Sequence, residues 1–429
     1  MKKITIISYS FPPSNTPAAQ RPYSIAKYLG MQGHDIAVLS CSNQDSSLGF
    51  NGKLKYKQAF RLYLVPGISL SWFRNKRKQE MVTTNVKGND KPKKKISDVS
   101  KWIFPDKAIS WFPLAFLWIL IHPSRFLKSS IITSAPLATN HLLGLIAKKI
   151  YRPFWIADIR DFQYLNNHDQ NPSQITSRLH SWLEKSVIKN ADRVTLVSSN
   201  MLKKYSEVYD IYSHKFSLIY NGFDEDEFSE IVTTPKPNFE HTPIVIFYAG
   251  SFYKGVRSPL PLIKALQSLV ESQIIKPDEI LIEVAGNFEN ELQSEIKQFP
   301  ISNQIRYLGI LKRREVLKKM SDSHLLWLII GDKANHSDTI PLKTFEYIGS
   351  RRPILCFGPE STETFKIISE LDCGWEFSCN PERNDENIEI LKQIFEKGLY
   401  TEQFGEELNI KIQRFTRRFQ ANEFSNIIN

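Results

Sequence analysis

Residues 4–40 hold an apolar run, a segment of helical period and a second apolar run, and that order leaves few folds open. Ile4-Thr5-Ile6-Ile7-Ser8 reads as a short buried strand and Phe11-Pro12-Pro13-Ser14 as the loop after it. From Ala18 to Gln32 the apolar residues Tyr23, Ile25, Ala26, Tyr28 and Leu29 fit a helix that stops near Gly33. Asp35-Ile36-Ala37-Val38-Leu39-Ser40 is the next strand. Such a βαβ unit brings its two strands together in a parallel sheet.

The alternation returns. Strands are expected at 130–134, 155–159 and 193–198, with helices at 141–149 and about 174–189 between them. Residues 233–243 carry three prolines and no periodicity, which marks a linker. Beyond it, strands are expected at 244–249, 279–285, 305–308, 325–330 and 353–356, with helices at 259–272, 314–321 and 343–350. The chain has 429 residues, 41% hydrophobic and 24% charged, so each half can bury its own core. The reading is an α/β protein of two Rossmann-like, doubly wound domains, 1–232 and 244–404, with a helix in 405–429 packing back on the first. Ligands of such sheets bind outside the carboxyl ends of the strands.

The net charge of +11 is uneven. Residues 1–240 hold 33 Lys and Arg against 19 Asp and Glu, and the remainder 23 against 26. Residues 51–107 alone hold 15 against 4, inside a basic insertion spanning about 49–107 whose centre, Asn85 to Asp98, reads as a mobile loop. The partner of this excess is anionic. The stretch matches no nucleic-acid-binding pattern, so nucleic acid is not the expected partner. Cys41, Cys356, Cys373 and Cys379 have neither C-x-x-C nor metal spacing, and Met1-Lys2-Lys3 runs straight into an apolar stretch too short for a signal core. A reduced, cytoplasmic protein without a bound metal or cofactor is expected.

The most specific segment is Asp338-Thr339-Ile340-Pro341-Leu342-Lys343-Thr344-Phe345-Glu346. A loop enters a helix near Pro341, so free N–H groups at the helix start offer a diphosphate site, and Glu346 lies further along the same helix. The segment resembles the E-x7-E block of retaining GT-B glycosyltransferases of family 4, with Asp338 where the first Glu belongs. The resemblance implies two domains facing across a cleft, Glu346 on the nucleotide ribose, Asp338 on the donor sugar, and Thr339, Ile340, Pro341 and Lys343 around the donor. Tyr248-Ala249-Gly250-Ser251-Phe252-Tyr253-Lys254-Gly255-Val256-Arg257 is similar to the family's first donor-side strand and loop. Gly250 there allows close backbone approach, and Lys254 and Arg257 are expected to neutralise the diphosphate. Gly286 resembles the next Gly turn.

The first half is similar too. Phe11-Pro12-Pro13-Ser14 through Ala19-Gln20-Arg21 resembles the family's opening loop, and Trp155-Ile156-Ala157-Asp158-Ile159-Arg160-Asp161 a segment of members that build bacterial surface polysaccharides. Phe104-Pro105-Asp106-Lys107 followed by Trp111 recurs in those members. The implied acceptor side holds Pro13, Ser14, Gln20, Arg21, Asp106 and His141. Arg160 and Asp161 stand where many members carry His-Asp and are the candidate catalytic pair; Arg160 either stabilises a phosphate or the acceptor, or forms a structural ion pair with Asp158 or Asp161.

The implied reaction moves a sugar from a nucleotide-sugar donor to a saccharide hydroxyl with retention, the leaving phosphate taking the proton. An acceptor on a lipid diphosphate carrier would account for the basic insertion beside Trp111–Ile121. That apolar run is too short to cross a bilayer, which needs roughly 20 residues. It is either a buried helix or a surface dipping into an anionic membrane interface at the inner face of the cell membrane. The competing expectation is a non-catalytic GT-B-shaped scaffold in a polysaccharide assembly complex.

Overall fold

A computed structural model describes residues 1–14, 16–43, 57–68, 104–161, 174–229, 231, 243–331, 340–398 and 406–428. They form two compact units. The first comprises 1–197, 204–219 and 421–429, and the second 198–203 and 220–420. The expected linker and most of the basic insertion fall outside the described residues.

In the first unit seven parallel strands run β1 Lys3–Ile7, β2 Asp35–Cys41, β3 Arg61–Val65, β4 Ser130–Ser134, β5 Phe154–Ile159, β6 Arg193–Leu196 and β7 Phe216–Leu218. Their order across the sheet is β3-β2-β1-β4-β5-β6-β7. The order reverses between β1 and β4, so a crevice opens beyond their carboxyl ends. β3 lies within the basic insertion and was not expected from the sequence: Leu62 pairs with Val38 and Leu64 with Ser40. A five-residue edge strand amid lysines carries too little apolar signal to stand out. The sheet centre is dry because β4 is buried throughout.

Ile4, Ile25, Leu29, Val38, Ile132 and Ile156 form one core cluster with Ala421, Phe424 and Ile428 from the C-terminal helix Arg417–Ile428. Each such side chain contributes about 1.5–3 kcal/mol when fully buried. Lys2 Nζ donates to Ile428 O at 2.6 Å, and His34 Nε2 lies 3.2 Å from Ser425 Oγ, so both edges of the helix are tied down.

Six parallel strands build the second unit: β8 Ile244–Ala249, β9 Ile280–Ala285, β10 Ile305–Gly309, β11 Leu325–Ile329, β12 Ile354–Gly358 and β13 Gly374–Ser378. Their order is β10-β9-β8-β11-β12-β13, again with one reversal, between β8 and β11. Successive side chains of a strand face opposite sides, and the two cores follow that rule. Leu326 and Leu328 enter the cluster containing Phe345, Ile348, Phe365 and Ile368. Leu325, Trp327 and Ile329 enter the other, with Leu262, Leu266, Leu391 and Ile394. The helices Arg313–Asp322, Leu342–Ser350 and Glu363–Leu371 therefore cover one face, and Leu260–Glu271 and Asn384–Glu396 the other. The sheet is doubly wound.

Candidate functional site

Several of the expected donor residues stand near the reversal between β8 and β11. Gly250 and Gly286, one residue past β8 and β9, have φ of +154° and +149°. A Cβ on Gly286 would lie 2.0 Å from Gly250 O, and one on Gly250 2.5 Å from Lys343 Nζ. Only glycine fits either place.

Lys343 stands in the first turn of the Leu342–Ser350 helix, behind the buried Ile340 and the capping Pro341. Its Nζ donates to Ala249 O at 2.8 Å and sits 4.7 Å from the centre of the Tyr248 ring. Burial pulls the ammonium down to about 7, the Arg257 charge pushes the same way, and Glu346 opposes. Arg257 Nε is itself buried without a partner among the described residues. Two neighbouring cations, one short of a bond, favour an anion against them. Tyr347 fixes the frame: its hydroxyl accepts from Ala249 N at 3.0 Å and donates to Trp327 O at 3.2 Å.

Glu346 points to a partner that sequence reasoning missed. Arg313 Nη1 donates to Glu346 Oε1 at 2.8 Å, while its Nε and Nη2 hold both oxygens of Glu227. The only signal was the triplet Lys312-Arg313-Arg314, with the helix expected to start one residue later. Lys254 is placed elsewhere. It is exposed and ion-paired with Glu291, and the charge that acts on Lys343 is that of Arg257. Asp338 and Thr339 lie outside the described residues.

In the first unit several expected acceptor-side groups are committed internally. Arg21 is buried against Asp158, with Nη2 2.9 Å from Oδ1, and it also donates to Ile219 O. Burial works against the Asp158 carboxylate, but Arg21's charge and hydrogen bonds overcome it and hold its pKa below the usual range. Ser134 and Thr195 hydroxyls donate to the same carboxylate at 2.7 and 2.8 Å. Removing one partner of such a pair costs about 3–5 kcal/mol. Arg160 donates to the carbonyls of Ala18 and Ala135 at 2.8 and 3.0 Å, and Asp161 follows it at the surface. Asp106 accepts from Ala108 N, Thr139 N and Thr139 Oγ1, latching its loop to the Ala138–Tyr151 helix. Ser14 is buried within hydrogen-bond distance of Thr16 Oγ1, Gln20 is buried on the first helix, and Pro13 is exposed.

His141 is buried with Nδ1 2.7 Å from Thr133 Oγ1, which also accepts from Trp155 Nε1 at 2.9 Å. Burial lowers the His141 pKa to about 4. His141 lines a small cavity with His180 and Glu184. The Glu184 carboxyl accepts from Tyr209 Oη at 2.9 Å and is raised by burial to about 7.

The helix Phe112–Ile121 buries Ala115, Trp118 and Ile119, while Leu117, Leu120 and Ile121 face outward. No helix among the described residues is long and apolar enough to cross a membrane.

No family model and no curated protein matches the chain. Solved structures do. HepE from Anabaena, in complex with UDP, matches over 99% of both chains with a TM-score of 0.63 at 15% identity. Sucrose-phosphate synthase from Thermosynechococcus elongatus matches over 100% of this chain and 98% of its own, with a TM-score of 0.63 at 12% identity. An S. aureus TarM variant, in complex with Fondaparinux, alpha-GlcNAc-glycerol and UDP, matches over 100% of both, with a TM-score of 0.58 at 11% identity. Likeness at such identities is one of fold, and the fold of this chain is GT-B, with two Rossmann-like parallel-sheet units.

Proposed function

We propose that the chain is a glycosyltransferase that takes a sugar from a nucleotide-sugar donor held by the second unit. The observation that carries this reading is Lys343 at the β8 end, its Nζ on Ala249 O and the charge of Arg257 acting on it, beside a helix start and two glycines that clear room for a diphosphate. Preorganised positive charge stabilises the leaving diphosphate as the glycosidic bond breaks. Glu346 accepts two hydroxyls of the ribose, and Asp338 is assigned to the donor sugar by the resemblance of its segment. The acceptor hydroxyl attacks on the face the nucleotide leaves, and the departing phosphate takes its proton. Because HepE and TarM were solved with UDP, UDP-sugars come first in the test. Release of UDP from a panel of UDP-sugars, with and without a saccharide acceptor, tests the reading. Turnover that survives Lys343→Met and Arg257→Met together would count against it.

The acceptor in this proposal is a saccharide of a cell-surface polysaccharide, carried on a lipid diphosphate, and the enzyme works at the inner face of the membrane. The outward face of the Phe112–Ile121 helix supports this, with exposed Leu127 and Ile150 and the exposed cations Lys128, Lys149 and Arg152 on neighbouring segments.

One observation favours the scaffold reading instead. Arg21, Arg160 and Asp106 all bond to the protein itself, so these groups of the first unit are not left for acceptor chemistry. Nucleotide-sugar binding without any release of UDP would select it.

A further inference from the structure

We propose a second small-molecule site in the second unit, distinct from the Lys343–Arg257 site and suited to a sugar monophosphate. A cavity of about 580 Å³ opens between the start of the Leu260–Glu271 helix, the end of β12 and the segment after β13. That is within the size range of small-ligand pockets.

Its charge is unevenly spent. Arg383, next in sequence to the lining residue Asn384, is ion-paired: Nε donates to Glu386 Oε1 at 2.9 Å and the guanidinium also pairs with Glu360, itself a lining residue. Lys264 lines the wall and has no carboxylate partner among the described residues. Its charge is left for an anionic guest.

The second polar feature is an acceptor. Asn384 lines the same cavity, and its Oδ1 is buried without a donor among the described residues. Buried acceptors are normally satisfied, so the guest should bring an O–H or N–H.

Pro261, Pro359, Pro381 and Leu260 supply rigid apolar surface, which fits the C–H face of a sugar ring. No aromatic side chain lines the cavity, so nothing there would stack a nucleotide base. An anion, a hydroxyl donor and an apolar ring face together describe a phosphorylated sugar. The assignment does not depend on the function of the donor site.

Calorimetry on the full chain tests it with glucose 1-phosphate, glucose 6-phosphate and N-acetylglucosamine 1-phosphate, against inorganic phosphate and glucose. At least one sugar phosphate should bind saturably, tenfold or more tighter than phosphate or glucose alone. Lys264→Met and Asn384→Leu, each shown folded by its melting curve, should weaken that binding at least tenfold, and Lys343→Met should leave it unchanged. Hydrogen exchange on wild type gives a readout free of mutation, with slowing expected at 258–264 and 378–384. Saturable binding by none of the three sugars, phosphate binding as tightly, or loss in Lys343→Met with retention in Lys264→Met would overturn the proposal.

Discussion

Arg313 grips two carboxylates at once, donating through Nη1 to Glu346 at 2.8 Å and through Nη2 to Glu227 at 2.7 Å. All three side chains are partly exposed, so the pairings add modestly to stability. Their larger effect is to fix where the Glu346 carboxylate stands. Glu346→Ala should weaken UDP binding by about 2 kcal/mol, the scale of a charge-assisted hydrogen bond. Arg313→Met should lose part of that, because the Glu346 carboxylate is then no longer held in position. Calorimetry reads both, and unchanged affinity in Glu346→Ala contradicts the ribose assignment.

Lys343 should make UDP binding depend on pH. Its ammonium, ordinarily at 10.5, is held near 7 by burial and by Arg257, and a bound diphosphate would raise it again. Binding should therefore take up a proton between about pH 7 and 9, with affinity falling as pH rises through that range. Without ligand the sign is opposite for folding: the unfolded chain binds more protons between about pH 7 and 10.5, so stability rises with pH there. Calorimetry in buffers of different ionisation enthalpy measures the uptake, and Lys343→Met should abolish it.

Glu184 predicts a pH slope in the other unit. Its folded pKa is about 7 against an ordinary 4.5, because burial disfavours the charge more than the Tyr209 hydroxyl favours it. The stability this contributes is complete below about pH 4.5 and lost as pH rises through 7, an effect of up to ~3 kcal/mol. Glu184→Gln should match wild type near pH 5 and melt higher at pH 8.5. Parallel pH profiles for the two would remove Glu184 as the cause.

The fold was legible because its strongest signal is local. Apolar runs such as Ile4–Ile7 and Leu325–Ile330 alternate with helices, and nearly every buried strand announced itself. β3, β7 and β13 did not, being short edge or near-edge strands with half-exposed residues. The places of Gly250, Gly286, Lys343 and Glu346 in the fold could be read because each stands at a strand end or on one helix. What could not be read was pairing. Arg21 and Asp158 lie 137 positions apart, and only the folded sheet brings them into a buried ion pair. Arg313 and Glu346, 33 apart, are the same case.

The outward face of the Phe112–Ile121 helix should hold the protein at anionic bilayers. Leu117, Leu120 and Ile121 are exposed, and each nearby cation adds on the order of 1 kcal/mol at an anionic surface. Replacing Leu117 and Ile121 by Ser should reduce co-sedimentation with anionic vesicles. Replacing Lys91, Lys93, Lys94 and Lys95 by Gln should remove its salt-sensitive part. Equal pelleting on neutral and anionic vesicles contradicts the charge argument.

In the proposed reading Lys343 and Arg257 hold the diphosphate of a nucleotide. Titrating UDP, and separately uridine, into wild type and the Lys343→Met, Arg257→Met double variant at pH 6.5 tests it most directly. UDP should bind wild type far more tightly than uridine does, and the double variant should lose at least a hundredfold of UDP affinity with little change towards uridine. Equal UDP affinity in the two proteins, with the variant folded, would place the diphosphate elsewhere.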